Sequence, residues 1–183
     1  PLSVPPAPAL RSVVKMEGAQ SPLSRDELND LMDYGNERMN SSACSLDPFR
    51  REVRVSALTD EKVLLMTSCE AGAYNTIWLA WLVSRQRPYI AHPVRLTLPF
   101  QPPGDAPRDV ELVNASYDDR HQELVTLDKG RAPGDCGIQT RWRYDGQRFS
   151  LVRYAQQPQC DNWQGPDAWP TLWVTRSVAH PLR

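Results

Sequence analysis

A chain of 183 residues is long enough for one sizeable domain that buries roughly 70% of its unfolded surface, so a hydrophobic core can form without staples. Its 21 basic and 22 acidic side chains leave a formal charge of −1, which gives no general electrostatic attraction for nucleic acid or for an anionic membrane and argues against a nucleic-acid partner. With 17 Pro, 9 Gly and Val, Leu, Thr, Trp and Tyr recurring in short segments, the composition is that of strands joined at prolines. It predicts a mainly β fold of antiparallel hairpins, sandwich or barrel-like, with one N-terminal α-helix.

Pro1, Pro5, Pro6 and Pro8 open the chain, and their fixed φ angles and missing amide donors keep such a segment extended. Residues 1–22 read as a Pro-rich linker and lead-in, with another domain expected before them in the parent protein and any export signal upstream. Residues 23–183 read as the folded domain. The helix is predicted over residues 25–39, where Ser24 and Glu27 form a capping box and Leu23 and Leu28 hold the positions of a hydrophobic staple. Leu28, Leu31, Met32 and Met39 share a stripe at helical spacing, while Asp26, Asp30, Asp33 and Glu37 fall mostly elsewhere and read as a solvated face.

From Arg51 onward the period is that of strands. Val53 and Val55 alternate with polar residues, and residues 63–66 are a short apolar run. Residues 74–84 place Thr76, Trp78, Ala80 and Leu82 on one face and Ile77, Leu79, Trp81 and Val83 on the other, so an extended chain here is apolar on both sides and belongs inside a covered sheet. The most apolar stretch, residues 77–83, is far short of the roughly 20 residues that span a bilayer. Val94, Leu96, Leu98 and Phe100 alternate with Arg95 and Thr97, predicting a half-buried strand that ends in the Pro-rich residues 99–107. Two hairpins follow, residues 110–117 with 122–127 and residues 139–144 with 147–154. The Asp145-Gly146 dipeptide of the second predicts a two-residue turn that sets Tyr144 opposite Gln147 and Trp142 opposite Phe149. Residues 171–175 form a last short strand.

Four cysteines allow three pairings. The local one, Cys44 with Cys69 and Cys136 with Cys160, closes two balanced loops of about 25 residues, each stabilising the fold by roughly 3 kcal/mol in the chain-entropy model. It is the preferred pairing, set against four buried thiols in a reducing compartment. Neither spacing is that of a zinc knuckle or a thioredoxin-type site.

Several separated segments carry a family resemblance: residues 69–75 (CEAGAYN), 130–137 (GRAPGDCG), 142–149 (WRYDGQRF), Cys160, and 169–173 (WPTLW). In this order they resemble the C-terminal region of the bacterial domain-of-unknown-function family numbered 1176, from Cys44 to Arg176. The resemblance implies an exported, periplasmic protein in which another domain precedes this one. It implies no reaction, ligand or catalytic residue.

The residues themselves point to no reaction either. His92, His121 and His180 are the only histidines, and none has a sequence-level partner that would activate a nucleophile. Asp118 and Asp119 share a turn, where Asp binds nearby backbone amides. Gly72, Gly130, Gly134 and Gly137 match no phosphate-loop spacing, and no cofactor or metal is expected. Trp78, Trp81 and Trp142 fall in predicted strands and read as core. Trp163 and Trp169 stand in the polar residues 161–170, where a large aromatic is expected to be exposed to a partner.

The expected function is a non-catalytic periplasmic or envelope-associated binding domain, its partner a protein or an envelope polymer. The alternatives are a hydrolase acting on an envelope polymer, and an inhibitor or immunity protein against a secreted enzyme. The binding surface is expected on two loops beside cysteines, with Glu70, Tyr74, Asn75, Arg131 and Asp135 as polar contacts, and with Trp163 and Trp169 next.

Overall fold

A computed structural model describes residues 22–161 and 163–175 of the chain; the expected linker, save Pro22, and His180 lie outside them. Helix α1 runs over Arg25–Asn40, opened by the expected capping box: Glu27 N donates to Ser24 Oγ and Ser24 N to the Glu27 carboxylate. Its buried face is Leu31, Gly35 and Met39. Leu28, expected on this stripe, is 38% exposed, because the seam is centred on Gly35, whose missing Cβ lets the helix close on the sheet. A Cβ there would stand 2.5 Å from Val53 Cγ1 and 2.9 Å from Leu65 Cδ1.

Two antiparallel meanders follow. The first sheet has the order β1 (Val53–Ala57), β2 (Lys62–Ala71), β3 (Thr76–Ser84), β4 (Ala91–Pro93), and the second β5 (Ser116–Asp118), β6 (Glu123–Lys129), β7 (Gly137–Tyr144), β8 (Phe149–Gln157), β9 (Thr171–Val174). Trp78 and Ala80 of β3 join Leu64 and Met66 of β2 in a shared core with Leu124, Trp142, Leu151 and Tyr154 of the second sheet. Trp81 and Val83, on the other face of β3, pack with Val63, Leu65 and Leu31 under the helix. The two-faced apolar pattern of residues 74–84 thus marks a strand buried on both sides, in a helix–sheet–sheet stack.

Three expectations are corrected. Residues 94–100 keep their alternating burial, with Leu96 and Leu98 each 2% exposed, yet they make only an isolated bridge, Thr97 with Asp109. Pro99 removes a donor from this stretch and Pro93 one just before it, and the remaining backbone bonds run irregularly, Val94 N to Ala80 O, Leu98 N to Arg108 O and Val110 N to Leu96 O. The first hairpin is shorter than expected because Asn114 adopts a left-handed φ of 44°. That turn diverts residues 112–114 to serve both sheets: Trp78 N donates to Leu112 O and Leu127 N to Val113 O. In the second hairpin Asp145 Oδ1 accepts from both Gln147 N and Arg148 N. The turn widens to residues 145–148, Tyr144 faces Phe149, and Trp142 faces Leu151 beside a bulge.

Candidate functional site at the disulfide-pinned end

Both local disulfides form, Cys44–Cys69 and Cys136–Cys160, with Cα separations of 4.6 and 4.7 Å. The tip of the β2–β3 hairpin, which follows Cys69, docks on the loop between β6 and β7, which precedes Cys136. Tyr74 Oη donates to Gly130 O (3.2 Å), Asn75 Nδ2 to Lys129 O (3.0 Å) and Lys129 N to Asn75 Oδ1 (3.2 Å). The two loops singled out from the sequence are therefore neighbours across the sandwich. Gly137 permits this arrangement at the base of the second loop: its φ is 137°, and a Cβ would collide with the Asp128 carbonyl.

The residues of that surface divide by role. Asn75 is occupied internally, since its Oδ1 also accepts from Asn114 Nδ2 at 2.7 Å. Asn114 in turn accepts from Thr76 N and donates to Leu127 O, so this amide pair ties the sheets together. Arg131 and Asp135 form a two-pronged ion pair along their own loop, and the guanidinium holds the Asp135 carboxyl below the usual carboxylate range. Burial pushes the neighbouring Asp128 carboxyl up. Glu70 is exposed at the end of β2, and the Tyr74 ring is 40% exposed.

The two loop tryptophans separate. Trp163 is fully exposed, whereas Trp169 is 2% exposed, with its indole N–H donating to Gln164 O. The expectation that Trp169 lies exposed is corrected. The polar residues around it are themselves anchored, Arg153 donating to Pro166 O, Asp167 O and Trp169 O, so the segment lies down on the second sheet and covers its tryptophan.

A third exposed aromatic, Phe49, was not singled out from the sequence. It stands 99% exposed on a short 3₁₀ turn, Pro48–Arg50. Its loop is tied down by hydrogen bonds: Asp47 Oδ1 accepts from Phe49 N, Arg51 donates to Leu46 O and Cys44 O, and Leu46 N donates to Cys69 O. The signal that picks out Trp163, a large aromatic in a polar stretch, also applies to Phe49 between Pro48 and Arg50. Phe49, Tyr74 and Trp163 stand five, five and three residues after Cys44, Cys69 and Cys160 respectively.

Between the Phe49 loop and the hairpin lies a groove of about 330 Å³, lined by Arg50, Glu52, Arg54, Thr76, Trp78 and Ser116 among others. The Arg54 guanidinium lies 4.4 Å from the centroid of the Trp78 ring and 2.9 Å from the Glu52 carboxylate. Residues this scattered carry no motif, and the groove is invisible to sequence spacing. His92 and His121 do not line it. His121 instead lies 2.7 Å from Asp118 in the β5–β6 turn. Among the described residues no group of three or more His, Cys, Asp or Glu is placed to hold a metal ion, and no helix is long and apolar enough to cross a membrane.

The uncharacterized protein YpfG of Escherichia coli (strain K12) is 65% identical to this chain over 176 residues. That alignment covers 96% of the chain and 50% of YpfG, so the chain spans about half the length of the curated relative it matches. No solved structure matches it. The sequence profile of the DUF1176 family, described as a protein of unknown function, matches residues 1–176, and the chain belongs to that family.

Proposed function

We propose that this chain is a non-catalytic binding domain of an exported protein, working in the periplasm, and that it meets its partner or ligand with the disulfide-pinned end of the sandwich. The observation that carries the reading is the placement of Phe49, Tyr74 and Trp163, each large, apolar and exposed, each on a loop fastened by a half-cystine. Large aromatics are the side chains that most often anchor an interface, and a loop already held by a disulfide lowers the ordering cost of association. Two disulfides suit an oxidising compartment outside the cytoplasm. The hydrolase alternative draws less support from the groove, whose charged side chains are Arg50, Glu52 and Arg54 and include no nucleophile with an adjacent base. The inhibitor alternative remains within the binding class and is served by the same Phe49 loop.

The reading is tested by capture from a periplasmic extract with wild-type, Tyr74→Ala and Asp135→Ala baits side by side, after melting curves show all three folded. Each substitution is expected to weaken capture of a specific partner by about tenfold or more, the loss typical of an anchor residue. Undiminished capture by both variants would move the site off this end of the molecule.

A further inference from the structure

We propose that the groove beside the Phe49 loop is a saccharide site that selects sugars bearing a carboxylate; the inference rests on the binding-domain reading above and names its ligand class. The groove of about 330 Å³ lies at the small end of ligand-sized pockets and fits one or two sugar rings rather than a folded partner. Its charged groups are Arg50 and Arg54 against Glu52, a local excess of one positive charge in a chain whose formal charge is −1. The Arg54 guanidinium carbon stands 4.4 Å from the centroid of the Trp78 ring, so the group is already drawn to the groove wall before any ligand arrives. The planar guanidinium presents its donors as a fork, and a carboxylate can take two of them.

Glu52 at present fills that role, donated to by Arg54 Nε and Nη2 at 3.2 and 2.9 Å. The pair is open to solvent, with side-chain exposures of 44% for Arg54 and 59% for Glu52, and ion pairs so exposed are weak and exchangeable. A ligand carboxylate can therefore take over Arg54 while Glu52 turns to accept from hydroxyls. Arg50 lines the same groove and forms no ion pair with any described residue.

The remaining lining distinguishes a sugar from an acidic side chain of a protein. A carboxylate alone needs donors, which the arginines supply. This groove adds Glu52 as an acceptor and the Thr76 and Ser116 hydroxyls, which both donate and accept. That mixture matches a ring of hydroxyl groups. Phe49 does not itself line the groove, but it is 99% exposed and adjoins the lining residue Arg50 in the chain.

The test is a titration of the whole chain with tri-galacturonate, followed by NMR at the Trp78 indole N–H and the Thr76 and Ser116 amides. Maltotriose, N-acetylglutamate and inorganic phosphate are titrated in parallel. Tri-galacturonate is expected to shift these signals with a Kd of about 1 mM or tighter, and Arg50→Gln and Arg54→Gln each to weaken it by roughly fivefold or more. Equal binding of maltotriose would overturn the role of charge, and equal binding of N-acetylglutamate or phosphate would overturn the sugar class. No shift at about 10 mM, where a 1 mM site is largely filled, would overturn the site itself. Failure here with Tyr74- and Asp135-dependent capture intact would leave the broader binding reading standing; loss of both would remove it.

Discussion

The outer faces of the two sheets solve the same problem in opposite ways. On the first sheet, Val63, Leu65 and Val83 are wholly buried beneath α1, where Leu31 is also buried. On the second sheet the corresponding face is ionic. Arg141 reaches Asp118 (3.3 Å), Glu123 (3.4 Å) and Asp167 (3.2 Å), and Arg143 reaches Glu123 (3.2 Å). A helix covers an apolar face completely and each buried aliphatic side chain contributes about 1.5–3 kcal/mol. A covering loop leaves water nearby, so charges persist there as a shared network in which each loss is partly taken up by the remaining partners. Burial under a helix therefore concentrates stability in single residues, whereas the ionic face spreads it.

The contrast makes graded predictions. Leu65→Ala should have the largest effect, lowering the unfolding free energy in urea by about 2–5 kcal/mol, because the cavity it leaves lies between β2 and the helix. Glu123→Ala should cost less, roughly 1–3 kcal/mol, since Arg141 keeps Asp118 and Asp167 while Arg143 loses its partner. A loss for Glu123→Ala equal to that for Leu65→Ala would reverse the contrast. The smallest effect should come from Asp118→Asn and should depend on pH. The hydrogen bond from His121, helped by the His121 backbone amide and Arg141, outweighs burial and holds the Asp118 carboxyl at about 2, below its ordinary 3.8. The ionised group thus contributes stability above pH 3.8 that is lost as the pH falls through about 2. Melting temperatures of wild type and Asp118→Asn should differ by about 2–4 °C or less at neutral pH and converge across that window. A gap that stayed constant down to pH 2 would show that the network does not depend on this charge.

Local information in the sequence went furthest. The capping box at Ser24 and Glu27, the two disulfide loops and the double-faced pattern of β3 each depend on residues near one another in the chain or on a strict period, and each is present in the structure. Asp145-Gly146 shows where that logic stops. Glycine favours a tight turn, but the Asp145 carboxylate captures two amides and makes a wider one, which slips the facing pairs. Trp169 shows a second limit, since its polar neighbours look solvated in the sequence yet are bound across the sheet by Arg153 and Arg141. Of the candidate surface, the two cysteine-flanked loops were legible one at a time. Their contact was not, because Asn75 and Lys129 are brought together only by the packing of two separate sheets. The groove was beyond reach for the same reason.

The strands are also graded by position. The interior strands β2, β3, β6, β7 and β8 have 10, 9, 7, 8 and 9 residues, while the edges β1, β4, β5 and β9 have 5, 3, 3 and 4. Pro93 closes β4 and Pro170 directly precedes β9, so the borders are further interrupted by residues without an amide donor. Such margins are poor templates for an added strand, which guards the domain against edge-to-edge aggregation. They also bear on the proposed binding role. Among the described residues a partner adding a strand would find three to five residues of ladder at an edge, so the proposed binding relies on side chains and loops rather than on open backbone.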